Sequence, residues 1–206
     1  TIDYGVVIKI NAIDGNYCWI KRYYSGNVNQ NSDYYSVPMI KGGVEVNSIL
    51  YNMGNLIVLP SDQNVIFAIN SDSGEELFKI DEGFAEYRRY LIGADTTGYY
   101  VAGSKGVRKY PFNNNKMLWQ SEIKENFGKG VLSGNTILFP SNQSIYVIDT
   151  HSGKKLSILT LNLNKPNIPL GNIIANGTFL ISTNIYGINV LNEVDLLINN
   201  LTTSIS

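Results

Sequence analysis

Acidic and amide side chains gather at small-residue turns, and they are the first groups in this chain whose types could do chemistry. The segment NSDSGEE, from Asn70 to Glu76, holds one amide and three carboxylates. Ca²⁺ prefers oxygen ligands of this kind, but the segment lacks the ligand spacing of a calcium-binding loop. We therefore interpret it as a turn that is shaped by the acceptor side chain of Asn70 and by Gly74.

The other reactive side chains are isolated. His151 is the only histidine and stands in a second small-residue turn, where we expect it to be solvated. Cys18 is the only cysteine and lies beside Trp19 on an apolar stretch, which predicts a buried, inert thiol. One histidine and one cysteine do not supply the usual ligands of a zinc site. The sequence thus predicts no catalytic residue, no metal and no cofactor.

The turn pattern occurs four times along the chain. Aligned on the turn residue, the segments are VVIKINAIDGNYCW, VIFAINSDSGEELF, GVRKYPFNNNKMLW and SIYVIDTHSGKKLS. A tight hairpin needs a residue with positive φ, which glycine supplies at no steric cost and asparagine at little cost. The predicted turn residues are Gly15, Gly74, Asn115 and Gly153.

Two further positions recur around these turns. Four residues before the turn residue stands a side-chain carbonyl that can close an Asx-type turn, at Asn11, Asn70 and Asp149. Four residues after it stands a large ring that we expect to pack over the neighbouring repeat, at Trp19, Phe78 and Trp119. Pro111 and Ser157 break the two rules, so two of the repeats are degenerate.

A second pattern, an apolar strand that begins after a glycine, stands before each of the turns at Gly74, Asn115 and Gly153. It occurs once more after the turn at Gly153. The segments GNLIVLPSDQN, GYYVAGSKG, GNTILFPSNQS and GTFLISTNIYG each predict a strand that ends in a polar turn, and a short apolar piece comes before each one. One unit therefore has four strands and a period of about 40 residues, which is typical of a β-propeller blade. We predict an all-β fold, a β-propeller built of four-stranded antiparallel blades.

The repeats resemble those of pyrroloquinoline-quinone-type propellers, whose hallmark is VYALDxxTGxxLW. FAINSDSGEELF and YVIDTHSGKKLS are similar to it, and the resemblance extends from Val6 to about Leu191. The run that begins GKGVLSGNTILFP is similar to propellers in large bacterial envelope proteins. The resemblance implies a propeller and a place in the periplasm or at the cell surface. Dehydrogenases of this superfamily also use a quinone, a calcium ion and often a vicinal cysteine pair, which a single cysteine cannot form.

The pattern predicts a partial propeller of about four and a half blades. The chain starts at the third strand of one blade, and the last blade loses its pattern after Leu191. The predicted blade pieces within 1–191 are 1–24, 44–80, 87–123, 128–161 and 169–191. The segment 192–206 is predicted to be a tail or the start of a helical segment that Asn192 caps. We expect a piece of a larger propeller, and a small closed ring is the alternative.

Composition limits the possible partners. Hydrophobic residues make up 44% and charged residues 16% of the 206 residues, and the net charge is −1. This balance provides no basic footprint for nucleic acid. No apolar run reaches the length of about 18 residues that a membrane span needs.

Two sets of residues are candidate binding surfaces. The segment YYSGNVNQNSDYYS predicts an inserted loop with a composition typical of recognition surfaces. Its candidate partner contacts are Tyr23, Tyr24, Tyr34 and Tyr35. Innermost strands line the central channel of a propeller. The candidate channel residues are Glu45, Asn47, Arg89, Lys129 and Asn172.

These observations predict a non-catalytic β-propeller scaffold that mediates protein–protein interaction within a larger protein or complex of a bacterial envelope. The expected partners are other protein subunits or domains. The alternative from another class is a fragment of a quinone-dependent dehydrogenase whose catalytic residues lie on blades outside this chain.

Overall fold

The computed structural model describes residues 5–23, 47–60, 65–81, 90–103, 105–123, 128–142, 144–160, 170–176, 179–184 and 186–192. Every regular element in these ranges is a β-strand, and the strands form five antiparallel sheets. The prediction of an all-β chain with four-stranded antiparallel sheets is confirmed for these residues. They include no helix with the length and apolar character required to cross a membrane. The predicted tail comprises residues 192–206, and all of it after Asn192 lies outside the described residues.

Each sheet is a meander whose strands pair in chain order. Sheet A contains β1 (Val6–Ile10) and β2 (Tyr17–Arg22). Sheet B contains β3 (Leu50–Asn52), β4 (Asn55–Val58), β5 (Val65–Asn70) and β6 (Glu76–Asp81). Sheet C contains β7 (Tyr90–Ala94), β8 (Tyr99–Gly103), β9 (Gly106–Tyr110) and β10 (Trp119–Glu122). Sheet D contains β11 (Val131–Ser133), β12 (Thr136–Pro140), β13 (Ser144–Asp149) and β14 (Lys155–Thr160). Sheet E contains β15 (Asn172–Asn176), β16 (Phe179–Asn184) and β17 (Gly187–Asn192).

The chain divides into two compact units. Unit 1 comprises Thr1–Arg89 and Phe112–Asn115, and unit 2 comprises Tyr90–Pro111 and Lys116–Ser206. Sheets A and B therefore belong to unit 1, and sheets C, D and E belong to unit 2.

The core of unit 1 lies between sheets A and B. Val7 of β1 packs with apolar residues of β4 and β5. The partly buried rings of Trp19 and Tyr23 pack against this cluster. The first five residues of β5, Val65 to Ile69, are all buried. Both faces of this strand are thus covered, which explains why its sequence is an unbroken apolar run and not an alternation.

Sheet D of unit 2 is covered on both faces. Alternate side chains on a strand point to opposite faces. One face packs against sheet C through Ile137, Phe139 and Ile148. The other face packs against sheet E and Leu170 through Leu138, Ile145 and Val147. Full burial of each such side chain stabilises the fold by about 1.5–3 kcal/mol.

One turn geometry joins the last two strands of sheets A, B and D. In sheet D the N–H of Gly153 donates to the carbonyl oxygen of Asp149 at 2.9 Å, and the N–H of Asp149 donates to that of Lys154 at 2.9 Å. The Asp149 Oδ1 also accepts the N–H of Ser152 at 2.7 Å. Gly15 and Gly74 make the equivalent bonds to Asn11 and Asn70, both at 2.9 Å. The φ angles are +74°, +74° and +71° for Gly15, Gly74 and Gly153.

The last two strands of sheet C have a different connection, and the prediction of a positive φ at Asn115 is wrong. Among the described residues other than glycine, only Met53 has a positive φ. Pro111 stands where the other turns have Asn or Asp. Proline has neither an N–H nor a side-chain acceptor, so it cannot close this turn. Residues 111–118 form an irregular connection, and β10 begins at Trp119.

Tryptophan rings cover two of the turn glycines. A Cβ atom at Gly74 would lie 2.8 Å from the ring of Trp19, and one at Gly153 would lie 2.6 Å from the ring of Trp119. Each ring comes from β2 or β10 and lies on the turn of the following sheet. A Cβ atom at Gly15 would have no atom of the described residues within 4 Å. The two covered positions therefore need glycine for contact as well as for φ.

This difference predicts unequal costs for two matched substitutions. Gly15→Ala should lower the free energy of unfolding by about 1 kcal/mol, because alanine is strained at positive φ. Gly153→Ala carries the same strain and also collides with Trp119, so it should cost at least about 2 kcal/mol more. Urea unfolding followed by tryptophan fluorescence measures both. Equal losses for the two variants would show that the ring of Trp119 does not press on this glycine.

Candidate functional site

Each of the two covered turns is held by a lysine and a tryptophan that bind one carbonyl oxygen. In unit 2 the Trp119 Nε1–H and the Lys109 ammonium donate to the carbonyl oxygen of Thr150, at 3.2 and 3.1 Å. In unit 1 the equivalent donors are Trp19 and Lys9, and both bind the carbonyl oxygen of Ser71, at 3.0 and 2.9 Å. We call each lysine, tryptophan and carbonyl set a carbonyl clamp.

Strand pairing brings the two donors of a clamp together. Lys9 and Trp19 are cross-strand partners in sheet A, and Lys109 and Trp119 are partners in sheet C. Cross-strand partners share a face of the sheet, so both side chains reach the same neighbouring turn. The acceptor belongs to the residue directly after the Asx position, where the tight turn begins.

The two clamps differ in burial and in their counter-ions. The Lys9 side chain is 37% exposed and pairs with Asp72 at 3.2 Å, and the Asp72 side chain is 90% exposed. The Lys109 side chain is 4% exposed and pairs with Asp95 at 3.0 Å. An exposed ion pair contributes little, whereas a buried ammonium depends on its partners.

Asp95 is the centre of a hydrogen-bonded polar cluster in unit 2. Its Oδ1 accepts the N–H and the hydroxyl of Thr97, both at 2.7 Å, and the N–H of Gly98 at 3.0 Å. Its Oδ2 accepts the Lys109 ammonium and the hydroxyl of Tyr100. The ammonium also lies 5.0 Å from the centre of the Tyr100 ring. We call Asp95, Tyr100, Lys109 and Thr150 the Asp95 cluster.

The surroundings of Asp95 and Tyr100 shift the pKa values of both side chains. Burial opposes ionisation of Asp95, but hydrogen bonds from Tyr100, Thr97 and Lys109 outweigh it and hold the pKa of Asp95 well below its usual value. Burial and the neighbouring carboxylate raise the pKa of the Tyr100 hydroxyl. Hydrogen bonds from Ser152 lower the pKa of Asp149. At neutral pH the cluster therefore holds an ion pair with a neutral phenol beside it.

A polar cavity of about 350 Å³ opens beside this cluster. Its lining residues are Asp95, Thr97, Lys109, Asn135, Asp149, Thr150 and His151. His151 is exposed on the turn, as expected from the sequence. In the ranges that the structure describes, no three His, Cys, Asp or Glu side chains are grouped as a metal site requires.

The structure brings two of the candidate channel residues together. The N–H of Lys129 donates to the Asn172 Oδ1 at 2.8 Å, and the N–H of Ile173 donates to the carbonyl oxygen of Lys129 at 3.0 Å. A Cβ atom at Gly128 would lie 2.0 Å from the carbonyl oxygen of Gly171. The backbones at the inner strands of sheets D and E therefore touch at this point.

The other predicted site residues have varied positions. Tyr23 is half-buried, with its ring centre 5.0 Å from that of Phe67. Phe78 is half-buried opposite Ala68, and Asn47 is half-buried before β3. The candidates outside the described residues are Tyr24, Tyr34, Tyr35, Glu45 and Arg89.

The expectation of a buried thiol at Cys18 is wrong, because this residue is exposed. Trp19 points toward the turn of sheet B, and neighbouring residues on a strand point to opposite faces. Cys18 therefore shares the other face of sheet A with Ile8 and Ile20, which are exposed as well.

Sequence reasoning missed the lysines of the clamps and the Asp95 cluster. One signal was present, because Lys9 and Lys109 each stand ten positions before a tryptophan in two aligned repeats. Nothing comparable marks Asp95, which belongs to a β7–β8 turn outside the repeated segment.

Comparisons with known proteins confirm the predicted fold class. No protein-family model and no curated protein matches the sequence. The chain is similar to BamB from Moraxella catarrhalis, with 12% identity and a TM-score of 0.64, over 91% of this chain and 56% of BamB. It is also similar to the computationally designed proteins Ika4 and Ika8. Their identity is 13%, with TM-scores of 0.54 and 0.55, over 73% and 70% of this chain and 99% and 44% of theirs. The described sheets thus have the fold of β-propeller blades, and the chain spans about half the length of BamB.

The two clamps predict different losses when their lysines are replaced. Lys109→Met should lower the free energy of unfolding by about 2 kcal/mol, because Asp95 and the Thr150 carbonyl oxygen lose a buried donor. Lys9→Met, the matched control at the exposed clamp, should cost less than about 1 kcal/mol. Urea titration of both variants measures the loss in free energy of unfolding. A larger loss for Lys9→Met than for Lys109→Met would contradict the prediction that the buried clamp contributes more.

Asp95 predicts a specific pH dependence of stability. A carboxyl group with a lowered pKa in the folded state stabilises the fold above its unfolded pKa of about 4, and this contribution disappears as the pH falls below that value. Asp95→Asn should therefore be clearly less stable than the wild type at pH 7, with a gap that narrows toward pH 3. Urea unfolding across this range, with Asp72→Asn as the exposed control, measures the gap. A constant gap would contradict the prediction.

Proposed function

We propose that this chain is a non-catalytic β-propeller scaffold that mediates protein–protein interaction within a larger bacterial envelope assembly. The observation that carries the proposal is the Asp95 cluster. Its lysine and the adjacent Trp119 both bind the carbonyl oxygen of Thr150 and so join sheet C to sheet D. The buried ammonium of Lys109 thus links sheet C to sheet D.

The state of Asp95 also argues against acid–base catalysis there. Its two oxygens accept hydrogen bonds from the N–H and hydroxyl of Thr97, the N–H of Gly98, the Tyr100 hydroxyl and the Lys109 ammonium. Its low pKa makes it a weak base, whereas a general base works best with a pKa near the operating pH. A carboxylate in this state fixes its neighbours and takes no proton at neutral pH.

The turns supply the surface that a scaffold needs. Polar side chains of Asp72, Ser73, His151 and Ser152 are exposed on turns whose backbones are fixed by their own hydrogen bonds. Loops on a rigid frame are a common means of recognition. The resemblance of the repeats to those of envelope propellers supports a location in the periplasm or at the cell surface and a quinoprotein-like origin of the blades.

Two measurements on the protein from its native source test this function. Cross-linking and mass determination should find the chain bound stoichiometrically to other protein subunits or domains. A second assay, with added pyrroloquinoline quinone and Ca²⁺, should give no dye reduction in the wild type or in Asp95→Asn. A free protein with no protein partner would contradict the scaffold. Quinone-dependent dye reduction by the wild type that persists in Asp95→Asn would favour the dehydrogenase alternative, whose catalytic residues lie outside this chain.

A further inference from the structure

The polar cavity beside the Asp95 cluster has no part in the proposed function. It lies within unit 2, between the β7–β8 turn of sheet C and two turns of sheet D, β11–β12 and β13–β14. Its volume of about 350 Å³ is in the range of small-molecule sites. All of the lining residues have polar side chains, so the cavity suits water or a polar ligand.

One wall of the cavity contains a buried donor that is only partly used. The Lys109 side chain is 4% exposed, and an ammonium group has three N–H donors. Two of them reach the Asp95 Oδ2 and the carbonyl oxygen of Thr150. The third has the Tyr100 ring near it, but no acceptor atom among the residues that the structure describes. Because buried donors normally have an acceptor, an oxygen atom of a molecule in the cavity fits this N–H.

Asn135 presents an amide that the fold does not require. Its backbone carbonyl oxygen accepts the N–H and the hydroxyl of Thr150, at 3.0 and 2.9 Å. In sheet B the carbonyl oxygen of Gly54 accepts the N–H of Ser71 at 2.7 Å, so this backbone contact forms without a side chain. Asn135 is exposed, and its amide makes no hydrogen bond within the described ranges. The amide is therefore available to donate to a ligand and to accept from it.

Asp149 adds a carboxylate that can accept further hydrogen bonds. Its Oδ1 accepts the N–H and the hydroxyl of Ser152, at 2.7 and 2.6 Å, and a carboxylate has about four lone-pair sites. The hydrogen bonds from Ser152 lower its pKa, so it is ionised at neutral pH. Lys109 compensates the charge of Asp95. Of the two carboxylates and one ammonium in the lining, the charge of Asp149 is thus the one that is not balanced.

These groups disfavour simple ions as ligands. An anion would accept the third Lys109 N–H, but it would meet the charge of Asp149. A cation would bind Asp149, but it would leave the Lys109 N–H without an acceptor and add positive charge beside it. A hydroxyl group avoids both conflicts, because it donates one hydrogen bond and accepts others.

We propose that this cavity binds a neutral, hydroxyl-rich small molecule of the sugar class. Hydroxyls of one ring donate to Asp149 and accept from Lys109 and the Asn135 amide. Such binding goes beyond the scaffold function and does not depend on it, because no protein partner contributes to the cavity.

The chain carries its own reporters for this site, since it has one histidine and two tryptophans. His151 lines the cavity, and the Trp119 Nε1–H binds the carbonyl oxygen of Thr150, another lining residue. The Trp19 Nε1–H makes the equivalent bond to Ser71, which does not line the cavity. In an NMR titration, the imidazole and indole signals of these three side chains therefore separate binding at the cavity from a general effect of the added molecule.

The titration uses the 206-residue chain with D-glucose, D-galactose and N-acetyl-D-glucosamine, each up to about 100 mM, a range that covers millimolar dissociation constants. Methylammonium chloride and sodium phosphate are the cation and anion probes. Asn135→Ala removes the amide and keeps the backbone bonds to Thr150. Asn16→Ala is the matched control, because Asn16 is an exposed residue of the β1–β2 connection in unit 1. Circular dichroism during heating establishes that both variants remain folded.

We expect at least one of the three sugars to shift the Trp119 and His151 signals saturably, with the Trp19 signal unchanged. Asn135→Ala should raise the dissociation constant at least about fivefold, the effect of one lost hydrogen bond, whereas Asn16→Ala should leave it unchanged. The proposal is overturned if no sugar shifts the two signals, if Trp19 shifts as much as Trp119, or if only methylammonium or phosphate saturates. The cross-linking experiment tests the scaffold function separately, because none of these outcomes changes its result.

Discussion

The contact between a tryptophan ring and the bare backbone of a turn glycine is the constraint on which the packing of sheet A on sheet B, and of sheet C on sheet D, depends. No side chain can intervene at Gly74 or Gly153, so the ring of Trp19 or Trp119 sits directly on the turn. That proximity lets the indole N–H and a lysine ammonium share one carbonyl oxygen. The distance between sheets A and B, and that between sheets C and D, is thereby set at the strands that carry the tryptophans, and apolar side chains fill the rest of each interface.

Burial decides how much each clamp contributes. A solvated lysine exchanges a hydrogen bond to water for one to a carbonyl oxygen, so the net gain in free energy of folding is small. The buried Lys109 has lost its water, and it is tolerated because Asp95, the Thr150 carbonyl oxygen and the Tyr100 ring all face it. Removing any of these partners would leave a poorly compensated charge. The Lys109 ammonium, which joins sheets C and D, therefore makes the contributions of Asp95, Thr150 and Tyr100 to stability depend on one another.

The sequence was sufficient for the blades and their turns because these depend on local patterns. Apolar strands, an Asx residue and a glycine four positions later specify the last hairpin of sheets A, B and D through local hydrogen bonds. Asn115 was misjudged because the lost N–H at Pro111 matters more than the residue at the turn position. Cys18 was misjudged because composition does not tell which face of a strand is covered. The Asp95 cluster could not be predicted, since its members meet only after β7 to β9 and the turn of sheet D have assembled.

Sheet D lacks the pair of residues that forms a clamp in sheets A and C. Val147 and Ser157 stand at the cross-strand positions of lysine and tryptophan, and the Ser157 hydroxyl is buried without a hydrogen bond in the described structure. The joint between sheets D and E is instead closest at the inner strands, where Lys129 and Asn172 meet. Apart from that contact, apolar side chains hold the two sheets together, and β14 carries no clamp in the described structure. We expect that force applied to β14 separates sheet D from sheet E before it separates sheet D from sheet C. The reason is that only sheets C and D are joined by a clamp.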